Sequence, residues 1–179
     1  MNQYVALIRG INVGGKNAVS MTRLKEVLLA TGFENVSSYI NSGNIIFESQ
    51  VTDLAKLVAK FEGILLDDFA VTTRVAVLSA QELHESFVNA PSWWGKDPGS
   101  KHNALFVIAP ADAHDIEREV GESKPEYEKI AMHNHVIFWS APLITFSRTR
   151  WSKIVGTRAY DKITIRNFNT TKKLVDLTK

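Results

Sequence analysis

The same order of apolar periodicities occurs twice along this chain, and few folds accommodate that order. In the first half, Tyr4–Ile8 is a bulky apolar run closed by Gly10, the pattern of a central strand buried on both faces. Met21, Leu24, Val27 and Leu28 then recur at helical spacing behind Ser20, an N-cap residue, with Gly32 placed for a left-handed C-terminal cap. Val36–Asn41 and Ile45–Glu48 flank Ser42-Gly43 as two strands of a tight hairpin. Leu54, Leu57, Val58, Phe61 and Leu65 share one helical face, with Thr52 as the expected N-cap, and Thr73–Leu78 is rich in β-branched residues. The resulting order is strand, helix, strand, strand, helix, strand, which is the split βαβ, or ferredoxin-like, arrangement.

The second half repeats it. Asn103–Ala109 is strand-like, and Asp112–Gly121 forms a short helix with Ile116 and Val120 one turn apart. Tyr127–Met132 and Val136–Ser140 pair around His133-Asn134, Trp151, Ile154 and Val155 mark a helix, and Ile163–Asn167 makes the last strand. Between the halves, Ser79 and Glu82 have capping-box spacing at the start of a helix, and Ala90–Lys101 has the prolines, glycines and charges of a linker. The expected fold is α+β: two tandem ferredoxin-like (βαββαβ) units with antiparallel sheets, a connecting helix and a C-terminal helix over Asn169–Lys179. The boundaries expected are 1–78, 79–101 and 102–179. A chain of 179 residues that is 45% hydrophobic can bury the cores this requires.

Several function classes are excluded or disfavoured by composition. There is no cysteine, so disulfides, thiolate nucleophiles and cysteine metal sites are absent, as suits a reducing compartment. Met1–Ile8 has no basic leader and is interrupted at once by Arg9 and Asn12, the pattern of a strand rather than a signal peptide. No apolar run approaches the length of a membrane span. A cytoplasmic protein without a membrane partner is expected. The formal charge of +2 does not by itself call for a polyanionic partner.

The loop after the first strand carries the strongest functional signal. Gly10–Lys16 fits G-x-x-x-x-G-K, the spacing of a phosphate-cradling loop, but Asn17 stands where a hydroxyl would ligate magnesium. Asn17-Ala18-Val19 also separate the lysine from the first cap signal, whereas a nucleotide-hydrolysing loop runs straight into its helix. Two readings stay open: a tight turn, or an anion cradle in which Gly14 and Gly15 let amides converge while Arg9 and Lys16 supply charge.

Other candidates are less specific. Asn41, Ser42 and Asn44 have hairpin chemistry and could hydrogen-bond a polar ligand, but the sequence does not place them beside the glycine loop. From residue 145 onward nine cations face two anions, interleaved with Phe146, Trp151, Tyr160 and Phe168, a mixture able to track phosphates and stack bases. No RNA-binding strand signature accompanies it, and a solvated basic face partnered by the acidic Asp112–Glu128 segment, with Trp151 in the core, accounts better for these residues. His133 and His135 lack a third metal ligand in sequence, so no metal site is expected. Trp93 and Trp94 suit a plug at the junction of the halves.

RGINVGG at Arg9–Gly15, NSGN at Asn41–Asn44 and TIRNFNT at Thr164–Thr170 together resemble a bacterial family catalogued as domain of unknown function 1697. The resemblance covers essentially the whole chain, and the first block is its most specific part. SRTRWSK, which contains Arg148, is similar to a Ser-Arg stretch of the family in a looser form. The resemblance implies a shared fold and no particular reaction, ligand or cofactor.

The leading expectation is a protein that binds a small phosphate- or carboxylate-bearing ligand, with no cofactor. The expected contacts are Arg9, Asn12, Gly14, Gly15, Lys16, Asn41, Ser42 and Asn44, supported by Arg148, Arg166 and Asn167. A nucleic-acid-binding protein using the basic C-terminal third is the alternative, and an enzyme acting on a phosphorylated substrate is a third reading. Neither the ligand, nor catalysis, nor the oligomeric state is specified by the sequence.

Overall fold

A computed structural model describes residues 1–178. Its α+β chain divides into two compact units, Met1–Leu83 with Leu174–Lys179, and His84–Lys173. The first contains β1 (Asn2–Ile8), α1 (Met21–Ala30), β2 (Glu34–Tyr39), β3 (Asn44–Ser49), α2 (Leu54–Phe69) and β4 (Val75–Ser79). Its four strands form an antiparallel sheet in the order β2-β3-β1-β4, with Ala6 of β1 opposite Ile45 on one side and Val77 on the other. The run Tyr4–Ile8 is buried throughout, as a central strand must be.

Helix α1 starts where Ser20 accepts a hydrogen bond from the Arg23 amide, and it buries Met21, Leu24, Val27 and Leu28. The N-cap of α2 is Asp53 rather than Thr52. The Asp53 carboxylate accepts from the Ala55 and Lys56 amides, and a charged acceptor also complements the positive end of the helix. Leu57, Phe61, Ile64 and Leu65 then pack on the sheet, where the rings of Phe33, Phe47 and Phe61 lie 4.9 to 5.1 Å apart. The β2–β3 turn is longer than its sequence suggests. It spans residues 40–43, with Ile40 at φ 49° and Gly43 at φ 78°, so Asn41 lies in the turn and not in the strand.

The second unit contains most of α3 (Ala80–Val88), then β5 (Ser100–Val107), α4 (Ala113–Val120), β6 (Lys129–His133), β7 (Val136–Pro142) and β8 (Ile163–Asn167). Its sheet is antiparallel in the order β6-β7-β5-β8. The capping box of α3 is present: Ser79 Oγ accepts from the Glu82 amide at 3.1 Å, and the Glu82 carboxylate accepts from the Ser79 amide at 2.8 Å. Trp94 is buried within this unit, edge-on to Phe87, Phe138 and Phe168, and donates from Nε1 to the Asn103 carbonyl.

The β6–β7 turn consists of Asn134 and His135, one residue later than His133-Asn134, because Asn134 takes the left-handed conformation at φ 52°. In place of the helix expected around Trp151 there are three 3₁₀ turns, Leu143–Arg148, Trp151–Gly156 and Arg158–Lys162. The Thr149 and Thr157 hydroxyls donate to the Phe146 and Ile154 carbonyls three residues back, and such local bonds compete with α-helical pairing. Trp151 and Ile154 still reach the core. The C-terminal helix α5 (Phe168–Leu177) begins one residue earlier than Asn169, and Lys179 lies outside the described residues.

Candidate functional site

The glycine loop leaves β1 at a point fixed to its neighbours. The Arg9 amide donates to the Arg74 carbonyl at 3.0 Å, and the Arg9 carbonyl accepts from the Thr73 hydroxyl at 2.5 Å. Five of the next eight residues, Gly10, Asn12, Gly14, Gly15 and Asn17, have φ between 49° and 73°. Glycine adopts that region without steric cost and asparagine tolerates it better than most residues, which accounts for the N-and-G composition. The loop closes on itself: the Lys16 amide donates to Val13 O, the Asn12 amide to Asn17 O, and Asn17 Nδ2 to Gly10 O. Asn17 is therefore a fastener of the loop. Helix α1 starts at Met21, beyond Lys16, so the geometry is not that of a nucleotide-hydrolysing loop.

The Asn12 side chain uses its oxygen and its nitrogen on backbone groups. Its Oδ1 accepts from the Val19 amide at 2.8 Å, and its Nδ2 donates to the Val19 carbonyl at 2.9 Å and the Asn41 carbonyl at 2.8 Å. The last bond joins the glycine loop to the NSGN turn. A second clamp lies beside it, where the Ile8 amide donates to the Gly43 carbonyl at 2.8 Å. A Cβ at Gly43 would stand 2.9 Å from Ile8 Cβ, so only glycine permits this approach. Asn44 is fully buried and donates from Nδ2 to Tyr39 O and Ser42 Oγ, holding the turn from within.

These contacts shape a cleft of about 500 Å³ lined by Asn12, Gly15, Lys16, Ala18, Val19, Ser20, Met21, Thr22 and Asn41. One wall is the first turn of α1, which contains no acidic residue. Lys16 is the one charged residue of the lining, and no carboxylate or imidazole belongs to it. Its electrostatics are those of an anion site: a helix N-terminus and an ammonium with no internal counter-charge.

The remaining candidates are distributed differently. Arg9 and Gly14 do not line the cleft, and Arg148, Arg166 and Asn167 belong to the second unit. The Arg148 guanidinium lies 5.7 Å from the centre of the Tyr127 ring. Arg166 is 8% exposed and donates to Thr164 Oγ1 and the Ile165 carbonyl, and burial lowers its pKa to about 10, so it stays charged at neutral pH. Asn167 accepts from the Thr170 amide at the start of α5. His133 Nε2 is 3.7 Å from Glu85, and among the described residues no group of ligands could hold a metal ion.

A further feature was hidden in the linker composition. Gly95–Pro98 and Ser100–Asn103 form one side of a second cleft, of about 630 Å³, shared with Asn167–Asn169. The His102 ring nitrogens bond Ser140 Oγ at 2.5 Å and the Asp97 carbonyl at 2.7 Å. Hydrogen bonds from the Ser100 hydroxyl and the Gly99 amide hold the Asp97 carboxyl below its ordinary pKa. Nothing in the spacing of the Gly-Lys-Asp-Pro-Gly segment signals this, because its partners come from other elements.

A family model described as "Protein of unknown function (DUF1697)" matches residues 1–138. A solved structure described as that of a conserved bacterial protein from Streptococcus pneumoniae is 33% identical, with 99% of each chain covered and a TM-score of 0.89. No curated protein matches the chain. Among the described residues, no helix is long and apolar enough to cross a membrane.

Proposed function

Because the chain belongs to the DUF1697 family of proteins of unknown function, we propose its role from its own geometry: it binds a small anionic, phosphate- or carboxylate-bearing ligand in the glycine-loop cleft. The observation that carries this reading is that Lys16 and the acid-free first turn of α1 face one cleft. Gly15, Lys16, Ser20, Thr22 and Asn41 are the direct contacts. Asn12, Ser42 and Asn44 position them, Gly14 keeps the loop in its left-handed path, and Arg9 adds positive charge at its base. The lack of an acid, base or activated nucleophile in the lining favours binding over turnover of a phosphorylated substrate.

The shared strand order, with three 3₁₀ turns of the second half standing where the first half has its second helix, supports two tandem ferredoxin-like units, at 1–78 and 102–179, as the scaffold. Nucleic-acid binding through the basic C-terminal third ranks behind the small anion. Trp151 is buried, Phe146 packs on Trp139 and Phe168 on Trp94, so these rings are occupied within the fold rather than offered to bases.

A thermal-shift screen with inorganic phosphate, nucleotides and acidic metabolites tests the reading. A ligand at about 100 times its dissociation constant adds about 2.7 kcal/mol, which for a chain of this size raises Tm by roughly 5–10 °C. The shift is expected to vanish in Lys16→Ala. A screen with no stabilising anion, or one whose shift survives Lys16→Ala, removes the proposal.

A further inference from the structure

The first 3₁₀ turn, Leu143–Arg148, combines two features that the glycine-loop cleft does not use. Its leading residues are aliphatic and project into solvent, Leu143 at 53% and Ile144 at 94% exposure. Most aliphatic side chains of this size are buried in a folded domain, and two adjacent ones at such exposure form an uncovered apolar tip.

Three cations surround the same turn. Lys101 Nζ lies 4.2 Å from the centre of the Phe146 ring, Lys124 Nζ donates to the Arg148 carbonyl at 3.2 Å, and Arg148 itself faces Tyr127. Among the described residues none of the three has a carboxylate within ion-pair distance. The start of the turn is fixed by the Leu143 amide donating to Gly99 O, so the apolar tip stands in a set position relative to these charges.

We infer that this turn is a docking surface for an anionic lipid bilayer, with Leu143 and Ile144 entering the headgroup–acyl boundary while Lys101, Lys124 and Arg148 meet the anionic headgroups. Charge complementarity favours an anionic partner, since Lys101, Lys124 and Arg148 meet rings and a carbonyl but no carboxylate. The apolar tip selects which anionic partner. Leu143 and Ile144 offer no π-face for stacking bases, and the aromatic rings nearby are occupied. A projecting aliphatic pair needs a matching pocket in a rigid protein partner but none in a fluid acyl layer. The expectation of no membrane partner rests on bulk charge and on the lack of a spanning apolar run, and contact of one local patch with a lipid surface is a separate property.

Vesicle flotation with the full chain tests this. Binding is expected to phosphatidylcholine vesicles containing about 30% phosphatidylglycerol, with little to pure phosphatidylcholine, and it should weaken as salt screens the surface potential. Ile144→Asp is expected to lower the bound fraction about tenfold. Ile144 is too exposed for this change to unfold the chain, and circular dichroism checks that. Lys124→Gln combined with Arg148→Gln should reduce binding to the anionic vesicles and leave the neutral baseline unchanged. Equal binding to both vesicle types, no binding to either, or full binding by Ile144→Asp would overturn the inference. Capture of single-stranded RNA or an acidic polypeptide by this surface in preference to vesicles would overturn it too.

Discussion

The Asn12 side-chain amide donates to the Asn41 carbonyl at 2.8 Å, across 29 positions of sequence. With its two bonds to Val19, it makes one asparagine the junction of the glycine loop, the approach to α1 and the NSGN turn. Asn12→Ala removes three bonds and puts alanine at φ 55°. The expected loss is about 2–4 kcal/mol in urea denaturation, from roughly 1 kcal/mol per bond plus the left-handed strain. Asn12→Gly keeps the backbone conformation accessible and should lose less. Both variants should also lose the anion-dependent rise in Tm, because Lys16 and α1 would no longer be held to one geometry.

Two glycines in the same region should respond unequally to alanine. Gly14 has nothing within 4 Å of an added Cβ, so Gly14→Ala meets only the cost of φ 60°, about 1 kcal/mol. At Gly43 the added atom would lie 2.9 Å from Ile8 Cβ and 3.1 Å from Ile11, on top of φ 78°. Gly43→Ala should therefore cost about 2–4 kcal/mol by forcing the turn away from β1. Equal denaturation midpoints for the two variants would show that the NSGN turn does not bear on the first strand.

Acid should expose a contribution from Asp97. Its folded pKa lies below the ordinary 3.8, mainly through the Ser100 hydroxyl and then the Gly99 amide. A depressed carboxylate pKa stabilises the folded state above the unfolded value, and that stabilisation is lost as pH falls through the folded value. The difference in denaturation midpoint between wild type and Asp97→Asn should stay constant above about pH 5 and shrink below it. A difference independent of pH down to about 2 would assign Asp97 a role without charge.

Local chemistry made much of the fold legible, and long-range contacts made the rest invisible. Ser20, Ser79 and the apolar stripes of α1 and α2 act within one or two turns, so their roles follow from spacing. The bonds that Asn12 makes to Val19 and Asn41 leave no trace in its spacing, because those partners are chosen by the fold and not by neighbours in sequence. The sequence pattern puts Asn41 in a strand, whereas the turn opens at Ile40, a non-glycine residue in the left-handed conformation that spacing does not reveal. The helix expected at Trp151 failed for a related reason: apolar spacing marks which residues reach the core, while Thr149 and Thr157 decide the backbone that carries them.

Glu128 shows the strongest case of such a hidden partner. It is 3% exposed, and its two oxygens accept four hydrogen bonds: Lys124 N and Arg150 N on one, Trp139 Nε1 and Trp151 N on the other. A single carboxylate thus holds the stretch before β6, a core strand and the entry to the Trp151 turn. Glu128→Gln keeps the shape but presents an NH₂ group to two of these donors, leaving them unsatisfied in a buried site. The expected loss is about 2–4 kcal/mol, from two orphaned N–H groups and the weaker neutral acceptor. Glu128→Ala should cost at least as much, since all four donors lose their partner and a cavity is added. Urea denaturation followed by tryptophan fluorescence reads both effects, because Trp139 and Trp151 border the carboxylate. A Glu128→Gln midpoint equal to wild type would mean that the amide finds other acceptors, and that the charge on Glu128 does not secure the turn.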